Sequence, residues 1–166
     1  MGGGGALSIA VHHPDRVVGV VALAGISDFV EYANGNAGLL LAKAPGTVLS
    51  AFGGTPESAA KAYRHMSAIH AVDKLKNVPV YLIHGDKDTL APVEDARTFV
   101  ERLREVSDEP VLYAEMQGAQ HAFEVFPSAR TARVIEGVER FLSTLWARRQ
   151  ASTPAVEAEL ADTLTS

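Results

Sequence analysis

With 166 residues, 47% of them hydrophobic and 21% charged, the chain has the balance of a globular domain able to bury a core. A net charge of −5 with no basic cluster argues against a nucleic-acid surface, and the absence of cysteine excludes disulfides and thiolate metal sites. No apolar run is long enough to span a bilayer and no basic-then-apolar leader opens the chain, so the expectation is a cytoplasmic protein with no membrane span.

Met1-Gly2-Gly3-Gly4-Gly5 reads on composition alone as a flexible arm. Residues 6–12 follow at once and are apolar almost all round, which describes a short buried helix; glycines at its start would let it lie close against a strand. A phosphate loop needs a lysine after its glycines, and none is present. His12-His13-Pro14 stops the helix. Residues 17–24, VVGVVALA, form a fully apolar strand closed by Gly25-Ile26-Ser27-Asp28. Residues 29–68 are a long excursion punctuated by glycine and proline, with 39–43 and 57–65 as helical candidates; such a length marks a lid, cap or binding loop. Residues 67–72 are indistinct, and 73–77 are a polar lead into the next strand.

Residues 80–83 are again apolar without alternation, which describes a strand of a parallel sheet buried on both faces. His84-Gly85 ends it, Asp86, Lys87 and Asp88 follow, and Pro92 suits the first turn of a helix. Val93, Ala96, Phe99, Val100, Leu103 and Val106 recur at gaps of three and four, the inner face of that helix. Residues 111–116 read as a third strand, ended by Gln117-Gly118. Residues 128–146 are a final amphipathic helix with Val134, Ile135, Val138, Phe141, Leu142 and Leu145 inward. The expected organisation is one domain over 1–147 and a tail over 148–166, disordered or loosely helical. The fold class is α/β: three parallel strands with flanking helices and a long excursion after the first strand.

In a parallel sheet the strand-to-helix loops open on one edge, where such folds place their chemistry. Asp86 and Asp88 follow the second strand, and His121 follows the third, its expected neighbour. A carboxylate on a histidine ring fixes the tautomer and leaves the other nitrogen as a base, so Asp88 with His121 is the candidate catalytic pair. His12, His13, His65, His70 and His84 lack metal-ligand spacing and take surface or structural readings; no metal or cofactor is expected. No serine sits in a G-x-S-x-G turn: Ser8 falls inside the first helix, and Ser27 follows a strand without flanking glycines.

GDKDTLAPVEDARTFVERLR at 85–104 is similar to the acid loop and following helix of the α/β-hydrolase superfamily, in its esterase/lipase or prolyl-oligopeptidase-like branch. VLYAEMQGAQHAFEVF at 111–126 resembles that family's histidine loop, and FGGTPESAAKAYRHMSAIHAV at 52–72 its linker before the acid strand. The resemblance covers about residues 1–147 and implies that Asp88 is the triad acid and His121 the base. The family's nucleophile turn often reads G-x-S-M-G-G, which the start of this chain matches from Met1 onward. The nucleophilic serine is then expected just before Met1, and the Met1 backbone nitrogen at a vestigial oxyanion position. The implied chain is the C-terminal part of a serine carboxylic-ester hydrolase acting on a small-molecule ester; a prolyl-oligopeptidase-like peptidase part and a non-catalytic assembly module are the alternatives. The missing nucleophile strand would leave an open sheet edge at 17–24, through which a homodimer is expected.

Overall fold

A computed structural model describes residues 2–35 and 51–164. Residues 2–126 form one compact unit, and 127–164 belong to a second. Among the described residues of the first unit, three parallel strands form one sheet in sequence order: β1 (Val20–Leu23), β2 (Val80–Gly85) and β3 (Val111–Met116). The register sets Val20 beside Val80 and Val80 beside Val111. This is the expected α/β architecture, with the β2 and β3 runs falling at the places their apolar sequences mark.

β1 is shorter than its apolar run. Pairing starts where the Val20 N–H donates to the Pro79 carbonyl at 2.9 Å. Residues 17–19 lie ahead of the first β1–β2 pair, and Val18 is exposed.

The glycine run is not an arm. Helix α1 (Gly2–His12) begins within it, although glycine in a helix costs about 1 kcal/mol relative to alanine. Close packing offsets that cost. A side chain at Gly3 would overlap the Leu23 carbonyl and approach the Gly25 Cα to 2.8 Å. Bare backbone on both elements is what allows the start of α1 to touch the loop after β1.

After β1, Asp28 caps α2 (Phe29–Asn34), its carboxylate accepting from the Val30 and Glu31 N–H groups at 3.0 Å each. The candidate helix at 39–43 lies outside the described residues. The one at 57–65 is observed as α3 (Ala60–Met66), and a 3₁₀ stretch (Ala68–Leu75) gives form to the indistinct segment. Phe29, Phe52 and Tyr63 make a small aromatic core there, with Phe52 and Tyr63 stacked at 4.3 Å. Helix α4 (Val93–Val106) buries Val93, Ala96, Phe99, Val100 and Leu103, as its periodicity requires. Leu7, Ala10 and Val11 of α1, Ile69 and Leu75 of the 3₁₀ stretch, and Phe99 and Leu103 of α4 meet Val20, Ala22, Val80 and Leu82 in one core on one face of the sheet.

In the second unit, α5 (Ala129–Leu164) continues well past residue 147. Val134, Phe141 and Leu145 are buried, but Ile135 and Leu142, expected inward, are half exposed, as is Trp146. The inward stripe is therefore narrower than the apolar positions suggest. No helix of the described residues is long and apolar enough to cross a membrane.

Candidate functional site

Two loops leave the carboxyl ends of neighbouring strands, residues 86–92 after β2 and 117–122 after β3, and backbone hydrogen bonds lace them together. Asp86 N–H donates to the Met116 carbonyl at 3.2 Å, and Lys87 N–H to the Ala119 carbonyl at 2.9 Å. The Gly118 N–H donates to Asp86 Oδ1 at 2.6 Å. Asp86, one of the two candidate acids, is therefore a brace between the loops, its oxygen engaged by a backbone donor. Gly85 permits the approach: a side chain there would overlap the Ala119 carbonyl.

Asp88 is the other acid, with a fully buried side chain. Its Oδ1 accepts from the Leu90 and Ala91 N–H groups at 2.9 and 2.8 Å, an Asx-type turn that ties the carboxylate to its own loop. Its Oδ2 lies 2.7 Å from His121 Nδ1. An ionised carboxylate only accepts, so Nδ1 carries the proton and Nε2 is left with a free lone pair. The sequence-predicted pair thus meets at one rim. Directly after His121, Ala122 takes the left-handed conformation (φ 56°), which few non-glycine residues adopt. His121 keeps about a third of its side chain exposed and faces a cleft of about 350 Å³ lined also by Gly2, Gly3, Val21, Leu23, Ala24 and Glu124. An imidazole held in this way can take a proton from a hydroxyl or water and return it to a leaving group. Met1, expected at the oxyanion position, lies outside the described residues.

Ser8 and Ser27 do not face this pair as nucleophiles. Ser8 is buried on α1. Ser27 is fully buried and donates its hydroxyl to Asp95 Oδ1 at 2.9 Å. Asp95 also accepts from the Ser27 and Asp28 N–H groups at 2.7 and 3.0 Å; burial raises its pKa against the pull of these donors. A larger cavity of about 570 Å³ lies beside this anchor, lined by Asp28, Glu31, Tyr32, Glu94 and Asp95 among others, and His121 is not in its wall. Among the described residues no group of three or more His, Asp or Glu is placed to hold a metal ion.

Two residues at this site were not among the candidates the sequence singled out. His84, assigned a structural or surface reading, is fully buried with its ring beside Asp88. Its place near the end of an apolar strand, two residues before the loop, was the available signal. Glu124 presents a buried carboxylate oxygen with no partner among the described residues. It stands three positions after His121, and nothing in the local sequence marks it.

At the outer end of β3, Arg97 grips both oxygens of Glu115, and the Tyr113 hydroxyl donates to Glu115 Oε2 at 2.9 Å. The Arg97 contact is the main reason the Glu115 carboxyl falls from its ordinary 4.5 to about 2. A depressed carboxyl contributes stability above its unfolded pKa and loses it as pH falls through the folded one. Glu115→Gln is therefore expected to melt below the native chain at pH 7 and level with it near pH 2. Thermal melts by circular dichroism check this; an equal gap at both pH values would contradict it.

The prolyl oligopeptidase family matches residues 1–147. The chain belongs to that family. Among its curated relatives, the probable carboxylic ester hydrolase LipM of Mycobacterium tuberculosis is 46% identical over 81 residues, 47% of this chain and 19% of LipM. Esterase LipC of the same organism is 44% identical over 82 residues, 49% of this chain and 20% of LipC. This prolyl-oligopeptidase-family chain spans about a fifth of the length of these relatives. Among solved structures, Porphyromonas gingivalis dipeptidyl peptidase 4 superposes with a TM-score of 0.67 at 17% identity, over 86% of this chain and 18% of its own. That likeness establishes the α/β-hydrolase fold.

Proposed function

We propose that this chain is the C-terminal part of a serine carboxylic-ester hydrolase, with Asp88 its acid and His121 its base. The carrying observation is the 2.7 Å contact of His121 Nδ1 with a buried Asp88 carboxylate, which leaves Nε2 free at an open cleft. The similarity to LipM and LipC supports an ester substrate. In this reading the nucleophilic serine belongs to the portion of such a hydrolase that this chain does not span. Nε2 takes its proton as the hydroxyl attacks the ester carbonyl, and returns it to the departing alcohol. Nε2 then takes a proton from water, whose oxygen attacks the acyl-serine, and the serine hydroxyl is restored as the acid leaves. A cytoplasmic setting belongs to the same proposal and fits the lack of cysteine.

The test is a chimera in which this chain replaces the matching portion of LipM. Hydrolysis of p-nitrophenyl butyrate and labelling by a fluorophosphonate probe are expected in the chimera, and neither in this chain alone. A folded chimera that does neither contradicts the proposal.

One observation favours a second reading, an assembly module. Val20 and Ala24 direct their N–H groups to β2, so alternation turns those of Val21 and Leu23 to the other edge, where no strand pairs among the described residues. A homodimer through this edge is expected by light scattering at high concentration. A monomer there contradicts this reading and leaves the hydrolase reading in place.

A further inference from the structure

Two buried side-chain atoms of the described residues have no hydrogen-bond partner, His84 Nδ1 and Glu124 Oε2. His84 lies at the end of β2 with no exposed surface, and its Nε2 sits 2.8 Å from the Ala91 carbonyl oxygen. A carbonyl only accepts, so Nε2 carries the ring proton and Nδ1 is the bare acceptor. A buried acceptor without a donor is unfavourable, and an apolar side chain of similar size would avoid it. What the imidazole supplies is the N–H at Nε2. That donor closes residues 86–91 of the loop carrying Asp88 back onto the end of the strand. Ala91 is held from its other side as well, since its own N–H donates to Asp88 Oδ1 at 2.8 Å. His84 Nε2 also stands 3.5 Å from Asp88 Oδ2, the oxygen that meets His121.

We propose that His84 is a positioning residue: its Nε2–H, given to the Ala91 carbonyl, fixes the loop so that Asp88 Oδ2 reaches His121 Nδ1. The inference rests on the acid–base reading of Asp88 and His121. It accounts for a polar ring where the core would otherwise favour a hydrocarbon.

The test uses the ¹⁵N-labelled chain as it stands and reads the proton on His121 Nδ1, a low-field resonance when that hydrogen bond is held. His84→Phe keeps a ring of similar volume without the donor, and His84→Gln returns an amide N–H. The resonance is expected in the native chain, lost in H84F and recovered in H84Q, with the backbone amide pattern of β2 and β3 retained throughout. If H84F loses that pattern, His84→Leu is read by the same criterion. A resonance as sharp in the donorless variant as in the native chain overturns the proposal, as does its loss in H84Q with the amide pattern intact. Absence of the resonance in the native chain overturns the Asp88–His121 pairing itself, and the positioning role with it.

Discussion

In the LipM chimera, Asp88→Asn is expected to lower kcat/KM for p-nitrophenyl butyrate by about 10³–10⁴-fold. The reason is the tautomer. Asn can keep an oxygen for the Leu90 and Ala91 N–H groups, so the loop retains its turn. It then presents an amide N–H to His121 Nδ1, which becomes an acceptor and moves the ring proton to Nε2, the nitrogen that must be bare. His121→Ala removes the base outright and is expected to cost at least as much. Groups that act as a unit are not additive, so the double variant should be no slower than the worse single one. Steady-state kinetics on the three variants check this. A loss under tenfold for Asp88→Asn, with unchanged thermal stability, would contradict the assigned role.

Gly85→Ala should be a strongly damaging single methyl at the site. The added carbon would overlap the Ala119 carbonyl, stand 2.8 Å from the Ala119 carbonyl carbon and 3.1 Å from the Gln120 oxygen. All three are backbone atoms, so no side-chain rotation relieves the clash. Overpacking of this kind costs about 1–3 kcal/mol, which at this chain length lowers Tm by about 2–12 °C. The strain falls where the Lys87–Ala119 and Gly118–Asp86 bonds join the two loops, so the Asp88–His121 contact should loosen as well. Differential scanning calorimetry reads the first effect and the chimera's kcat the second. A native Tm would show that the loops have room the geometry denies.

Much of this was legible in the sequence because its signals are local. β2 and β3 are continuous apolar runs, and α4 repeats its apolar residues at helical spacing. Parallel neighbouring strands bring equivalent loops to one edge, and that alone put Asp88 within reach of His121. What stayed hidden depends on partners. β1 begins at Val20 because the first pair with β2 is Val20 with Val80. The glycines of α1 are helical because bare backbone fits against Leu23 and Gly25, a tertiary gain that local propensity cannot register. Ile135 and Leu142 have the spacing of core residues and are half exposed, since periodicity finds a face but not its width. Asp86 and Asp88 look alike as sequence. The sequence pairs Asp88 with His121, but the use of Asp86 as a brace on the Gly118 N–H depends on the register of β2 on β3.

The most direct measurement is the proton between the two loops. In the ¹⁵N-labelled native chain, His121 Nδ1 is predicted to bear a slowly exchanging low-field proton, and Asp88→Asn to abolish it. A His121 ring whose Nε2 carries the proton in the native chain, or whose spectrum is the same in the Asp88→Asn variant, would contradict the account.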